Sequence, residues 1–87
     1  MDFRVTQEFK LTGDPPDQAA TDRLRDRLRA AAPESAAVVE LGLGRMRVVM
    51  RFAAPSAEAA IAAATASASS VLGSGAAHVE VEPAETV

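Results

Sequence analysis

Between Asp2 and Glu82 the apolar residues change period four times, and this succession limits the fold more than any single motif. A strand repeats its facing every two residues and an amphipathic helix every 3.6, so each change marks a boundary between elements. Over residues 2–11, Phe3, Val5, Phe9 and Leu11 share one side, while Arg4, Thr6, Glu8 and Lys10 share the other. That is a strand with one dry face, and Gln7 is the only polar residue on it. The segment Thr12-Gly13-Asp14-Pro15-Pro16-Asp17 then breaks the alternation. Its composition predicts a helix with Asp14 as N-cap, Pro15 at the first helical position and Asp17 in the first turn. The helix runs to Ala31 on a stripe of Ala20, Leu24, Leu28 and Ala31, with Asp22, Arg25, Asp26 and Arg29 on the other side. Ala32-Pro33 stops it, because the residue before a proline avoids helical dihedrals.

Residues 36–52 read as a hairpin. A loop of Gly42-Leu43-Gly44-Arg45 pairs Leu41 with Met46, Val39 with Val48 and Ala37 with Met50, so one register puts every apolar partner on one face. A second helix is predicted from the cap Ser56 to Leu72, closed by Gly73, with Ala57, Ile61, Ala64, Ala68, Val71 and Leu72 buried. A last strand over 77–82 sends Val79 and Val81 inward, and 83–87 form a short polar tail.

The order β-α-β-β-α-β predicts an α+β, ferredoxin-like sandwich. It has a four-stranded antiparallel sheet in the order 4-1-3-2, with both helices on one face. At 87 residues the chain is expected to be one domain, 1–87. The expected core is Phe3, Val5, Phe9, Leu24, Leu28, Val39, Leu41, Val48, Met50, Phe52, Ile61, Leu72, Val79 and Val81.

Composition removes whole classes of chemistry. There is no cysteine and a single histidine, His78, so thiol nucleophiles, Cys-type zinc sites and multi-His metal sites are absent, and no metal or other cofactor is expected. A net charge of −3 lacks the basic footprint of nucleic-acid binding. With Trp and Tyr missing and the three Phe residues sent inward by the two central strands, no stacking platform for bases is expected either. Met1-Asp2-Phe3-Arg4 has no basic segment leading into an apolar run, and the stretch from Ala57 to Leu72 is too short and polar to span a bilayer. No membrane association and a cytoplasmic location are the expectation. Twenty alanines, eight Arg against one Lys and no Asn match GC-rich coding, the profile of a high-GC bacterium.

The candidate sites are surfaces. Arg45, Arg47 and Arg51, with Val49 among them, fall on the outer face of a central strand, where their plainest role is pairing with Glu8, Glu40, Glu80 and Glu82. On the second helix Ala59, Ala62, Ala63 and Ala66 form an outward stripe of small side chains that permits close approach by another element. Gly42-Leu43-Gly44 precedes a strand, so it is a turn and not a phosphate loop. His78 stands at an outer position of an edge strand, where a solvated histidine is expected and no catalytic base. Gln7 is a candidate ligand contact at the seam between sheet and helices, the plainer role being a bond to a helix-end backbone group. Asp14-Pro15, after the first strand of such a frame, resembles the ligand loop of ACT-type regulatory domains, although Pro16 stands where those domains favour glycine. That resemblance implies a small-ligand site at Gly13 and Asp14. The reading is therefore a non-enzymatic protein-interaction module, self-associating as a homodimer or docking on a partner protein, with an ACT-like ligand-binding module as the alternative. The sheet's outer face, the alanine stripe and the strand edge at 36–41 are its three candidate surfaces.

Overall fold

The computed structural model of the chain describes residues 2–11, 17–42, 44–73 and 75–84. Its elements are β1 (Asp2–Lys10), α1 (Gln18–Ala31), a 3-10 turn (Pro33–Ser35), β2 (Val38–Gly42), β3 (Arg45–Ala53), α2 (Ala57–Leu72) and β4 (His78–Pro83). The strands form one open antiparallel sheet in the order β2-β3-β1-β4, which is the expected order read from the opposite edge. The hairpin register is also the expected one, Val39 opposite Val48 and Leu41 opposite Met46. Gly42 and Arg45 form the last rung, and Gly44 has a φ of 68° that suits glycine.

The inner face of the sheet and both helices share one core. Phe3, Val5 and Phe9 of β1 lie opposite Phe52, Met50 and Met46 of β3, and all six are buried. α1 and α2 pack on each other and close this layer with Leu28, Ala60, Ala64 and Ala68. Burying each large side chain contributes about 1.5–3 kcal/mol, so the aromatic and methionine rungs supply most of the cohesion.

Four expectations are corrected. α1 begins at Gln18 with Asp17 as its N-cap, the carboxylate accepting from the backbone N–H of Ala20 at 2.8 Å. The predicted cap, Asp14, lies outside the described residues. The inward side of α1 is consequently Thr21, Leu24, Leu28 and Ala32, while Ala31 is exposed and Arg25 is half-buried. In α2 the buried row is Ala60, Ala64 and Ala68, and Ile61 is only half-buried, outside the core cluster. Leu41, expected in the core, is 41% exposed, because β2 is an edge strand with a neighbour on one side alone. Pro83, assigned to the tail, closes β4 opposite Phe3. Leu24, Val39, Leu72, Val79 and Val81 pack against the core while remaining partly exposed.

Candidate protein-interaction surface

The strand alternation that buries one face of the sheet leaves the other as a grid of charges. One row runs Glu40–Arg47–Glu8–His78 across all four strands, and another runs Arg51–Arg4–Glu82 across three. Arg47 reaches Glu8 at 3.1 Å, and Arg51 reaches Asp2 at 3.3 Å. Arg4 is paired with Glu82, and His78 Nε2 lies 3.0 Å from Glu80. Such exposed pairs contribute about 0–1 kcal/mol each, and they match most of the charges of this face with one another. The sequence placed Arg45, Arg47, Val49 and Arg51 here, and here they are. Val49 is half-buried and the arginines are exposed. The carboxylate partners differ from the expected set, since Arg51 takes Asp2. Among the described residues Arg45 and Glu40 have no ion pair.

The alanine stripe does not hold together. Ala62 and Ala66 are exposed, but Ala59 is half-buried and Ala63 packs against the core, so only part of the row faces outward. Gln7 is 1% exposed and donates from Nε2 to the carbonyl of Ala64 at 3.2 Å. Its partner is thus in the middle of α2 and not at a helix end. The helix can come this close because its facing residues are alanines. With its amide used inside the core, Gln7 presents no group to a ligand. Gly13 and Asp14 lie outside the described residues.

The edges of the sheet carry information that side-chain patterns missed. Glu8 and Asp2 accept through their carbonyls from Ala77 and Ala84, so the even residues of β1 turn their backbone groups toward β4. Leu11 donates to Gly44, so the odd residues turn toward β3. Facing reverses at every residue of a strand. Carried through the register, Val38, Glu40 and Gly42 bond to β3, while Val39 and Leu41 turn their N–H and C=O groups to the open edge. The same rule turns Val79, Val81 and Pro83 outward on β4. Pro83 has no N–H to offer, and the exposed side chains of β4 are His78, Glu80, Glu82 and this proline. On β2, by contrast, stand the two exposed large hydrophobic residues among those described, Val38 at 43% and Leu41 at 41%. They lie on opposite faces of one short strand. The sequence carries no unique signal for this: consecutive apolar residues occur in β2 at Val38-Val39 and also in the central strand β3 at Val48-Val49-Met50.

Among the described residues no group of three His, Asp or Glu side chains is placed to hold a metal ion. Within the same residues no helix is long and apolar enough to cross a membrane. Comparison with known proteins finds no matching family model, no matching curated protein and no matching solved structure.

Proposed function

We propose that this chain is a small non-enzymatic protein-interaction module on a ferredoxin-like frame, and that it docks through the open edge of β2. One observation carries the reading: the exposed large apolar side chains are not scattered but sit together on the strand whose backbone groups are also unpaired. An unpaired edge accepts an added strand, with main-chain hydrogen bonds giving affinity and flanking side chains giving selectivity. Proteins that avoid such pairing shorten, charge or proline-block their edges, as β4 does with Pro83. Photo-crosslinking in the source cells tests the reading. A benzophenone side chain at Val38 should yield adducts that mass spectrometry identifies, and the same group at the exposed Ser69 of α2 should yield none of them. Val39→Pro removes an outward N–H while leaving the bonds to β3, and it should abolish the Val38 adducts. Equal adducts from Val38 and Ser69, or none from Val38, would sink the proposal.

A second reading, an ACT-like small-ligand module, has one observation in its favour. A hollow of about 500 Å³ opens at the end of β1 beside Phe9, Lys10, Leu11 and Arg45, next along the chain to Gly13 and Asp14. A thermal-shift screen with free amino acids addresses it, since a ligand at 100 times its dissociation constant adds about 2.7 kcal/mol of stability. No shift with any amino acid removes this alternative.

A further inference from the structure

We infer that the occupant of the β2 edge is an extended strand of another protein carrying a lysine or arginine directly opposite Glu40. The inference rests on the reading of β2 as a docking edge and adds the chemistry of the partner. The free backbone groups of the edge belong to Val39 and Leu41, two residues apart. An antiparallel strand that bonds to both places one of its own residues opposite Glu40. That position is of the non-hydrogen-bonded kind, where facing Cα atoms approach to about 4.5 Å and side chains are closest. Glu40 is exposed and makes no ion pair among the described residues, while its neighbour across the strand, Arg47, is held by Glu8. A cation across the edge therefore meets an unshared carboxylate, whereas an anion there meets repulsion. The residues before and after that cation face Leu41 and Val39 on the helix side of the sheet, so they are apolar. The next residue, opposite Val38, is apolar as well. The partner motif is apolar–basic–apolar–apolar.

The same geometry disfavours a second copy of this chain. With the two-fold axis on Glu40, Val39 of each copy pairs with Leu41 of the other, which sets Glu40 against Glu40. Shifting the axis to Val39 recruits Ala37, but that residue is fully buried and its carbonyl already accepts from Arg29 Nε at 3.1 Å. Arg29 thus guards the start of the edge, and the free part is five residues long.

The test is an NMR titration of the full chain with two capped octapeptides, Ser-Thr-Val-Lys-Val-Val-Thr-Ser and its counterpart with Glu in place of Lys. The lysine peptide should perturb the amides of Val38 to Gly42 and bind about tenfold more tightly at low salt, from one attractive pair gained and one repulsive pair avoided. Glu40→Gln should bring the two affinities within about twofold, and Glu40→Lys should invert the preference. Glu40 is exposed, so both variants keep the fold. Equal affinities in the unaltered chain, with binding abolished by Val39→Pro, would leave the docking edge standing and overturn the basic partner. A mass of twice 9.0 kDa by light scattering at neutral pH, returned to 9.0 kDa by Val39→Pro, would make the second copy the occupant and overturn the inference. Failure of both peptides to bind, together with no edge adducts in cells, would remove the docking reading itself.

Discussion

Leucine in place of Ala64 probes how closely α2 lies on the sheet. Ala64 has no exposed surface, and its carbonyl receives the Gln7 amide at 3.2 Å. Leucine and alanine are both strong helix formers, so intrinsic propensity changes little. The three added carbons have nowhere to go in a filled layer, which costs about 1–3 kcal/mol. Lifting the helix also breaks the Gln7 bond, worth about 1 kcal/mol net. The total, about 2–4 kcal/mol, is a large part of the 5–15 kcal/mol typical of folded domains. At this size each kcal/mol lowers Tm by about 4–8 °C. Gln7→Met separates the two contributions, because it keeps the length of the side chain and removes the amide donor. On its own it should cost within about 1 kcal/mol, since the Ala64 carbonyl is not left bare inside a helix. In that background Ala64→Leu should cost about 1 kcal/mol less than in the unaltered chain. Urea denaturation followed by far-ultraviolet circular dichroism, with equal m-values across the four proteins, measures the cycle. Additivity within about 0.3–0.5 kcal/mol would refute the idea that the hydrogen bond depends on the closeness of the alanine face.

Phe52, 6% exposed and paired with Phe3 across the two central strands, should cost about 3–5 kcal/mol on truncation to alanine. An unchanged urea midpoint would show that this rung does not hold the core. The caps Asp17 and Ser56 accept from the backbone N–H groups of Ala20 and Ala59, at 2.8 and 3.2 Å. Asp17→Ala and Ser56→Ala should each cost about 1 kcal/mol, read as a fall in Tm, and equal stability after either change would mean that water replaces the cap.

The strands were legible in the sequence because their alternation has high contrast. Phe, Val and Met against Arg, Glu and Lys leave one way to place each strand, and the same contrast set the hairpin register through Leu41–Met46 and Val39–Val48. α2 offered no such contrast. With alanine on nearly every side, the largest residue, Ile61, drew the predicted face toward itself, whereas the structure turns the helix so that its fully buried row is Ala60, Ala64 and Ala68. A sheet already filled by Phe3, Met50 and Phe52 has room for methyls and a close backbone, and that is a property of the assembled layers. The N-terminus of α1 was misplaced for a local reason. Asp14-Pro15 and Asp17-Gln18 both fit a cap, and the choice between them depends on where β1 releases the chain. The β2 edge was named among the candidate surfaces, but the exposure of Leu41 was not foreseen: it alternates correctly and faces inward, yet an edge strand leaves it half covered.

Edge and outer face join at Glu40. The row that crosses the sheet alternates in sign from Glu40 through Arg47 to Glu8, and ends on His78 at the other edge. Within the sheet each carboxylate of a regular alternation has a cation on either flank, but Glu40 has a flank only toward β3, and Arg47 there turns to Glu8. The row is therefore open at the same strand where the backbone bonds and the apolar cover are also open. An added strand with a basic residue in that position continues all three patterns at once: the ladder of hydrogen bonds, the apolar layer over Leu41, and the alternation of charge. A neutral strand would continue two of them, and a second copy of β2 would continue the ladder while breaking the alternation. This coincidence at one five-residue segment, more than the count of exposed groups, singles out β2 from the rest of the surface.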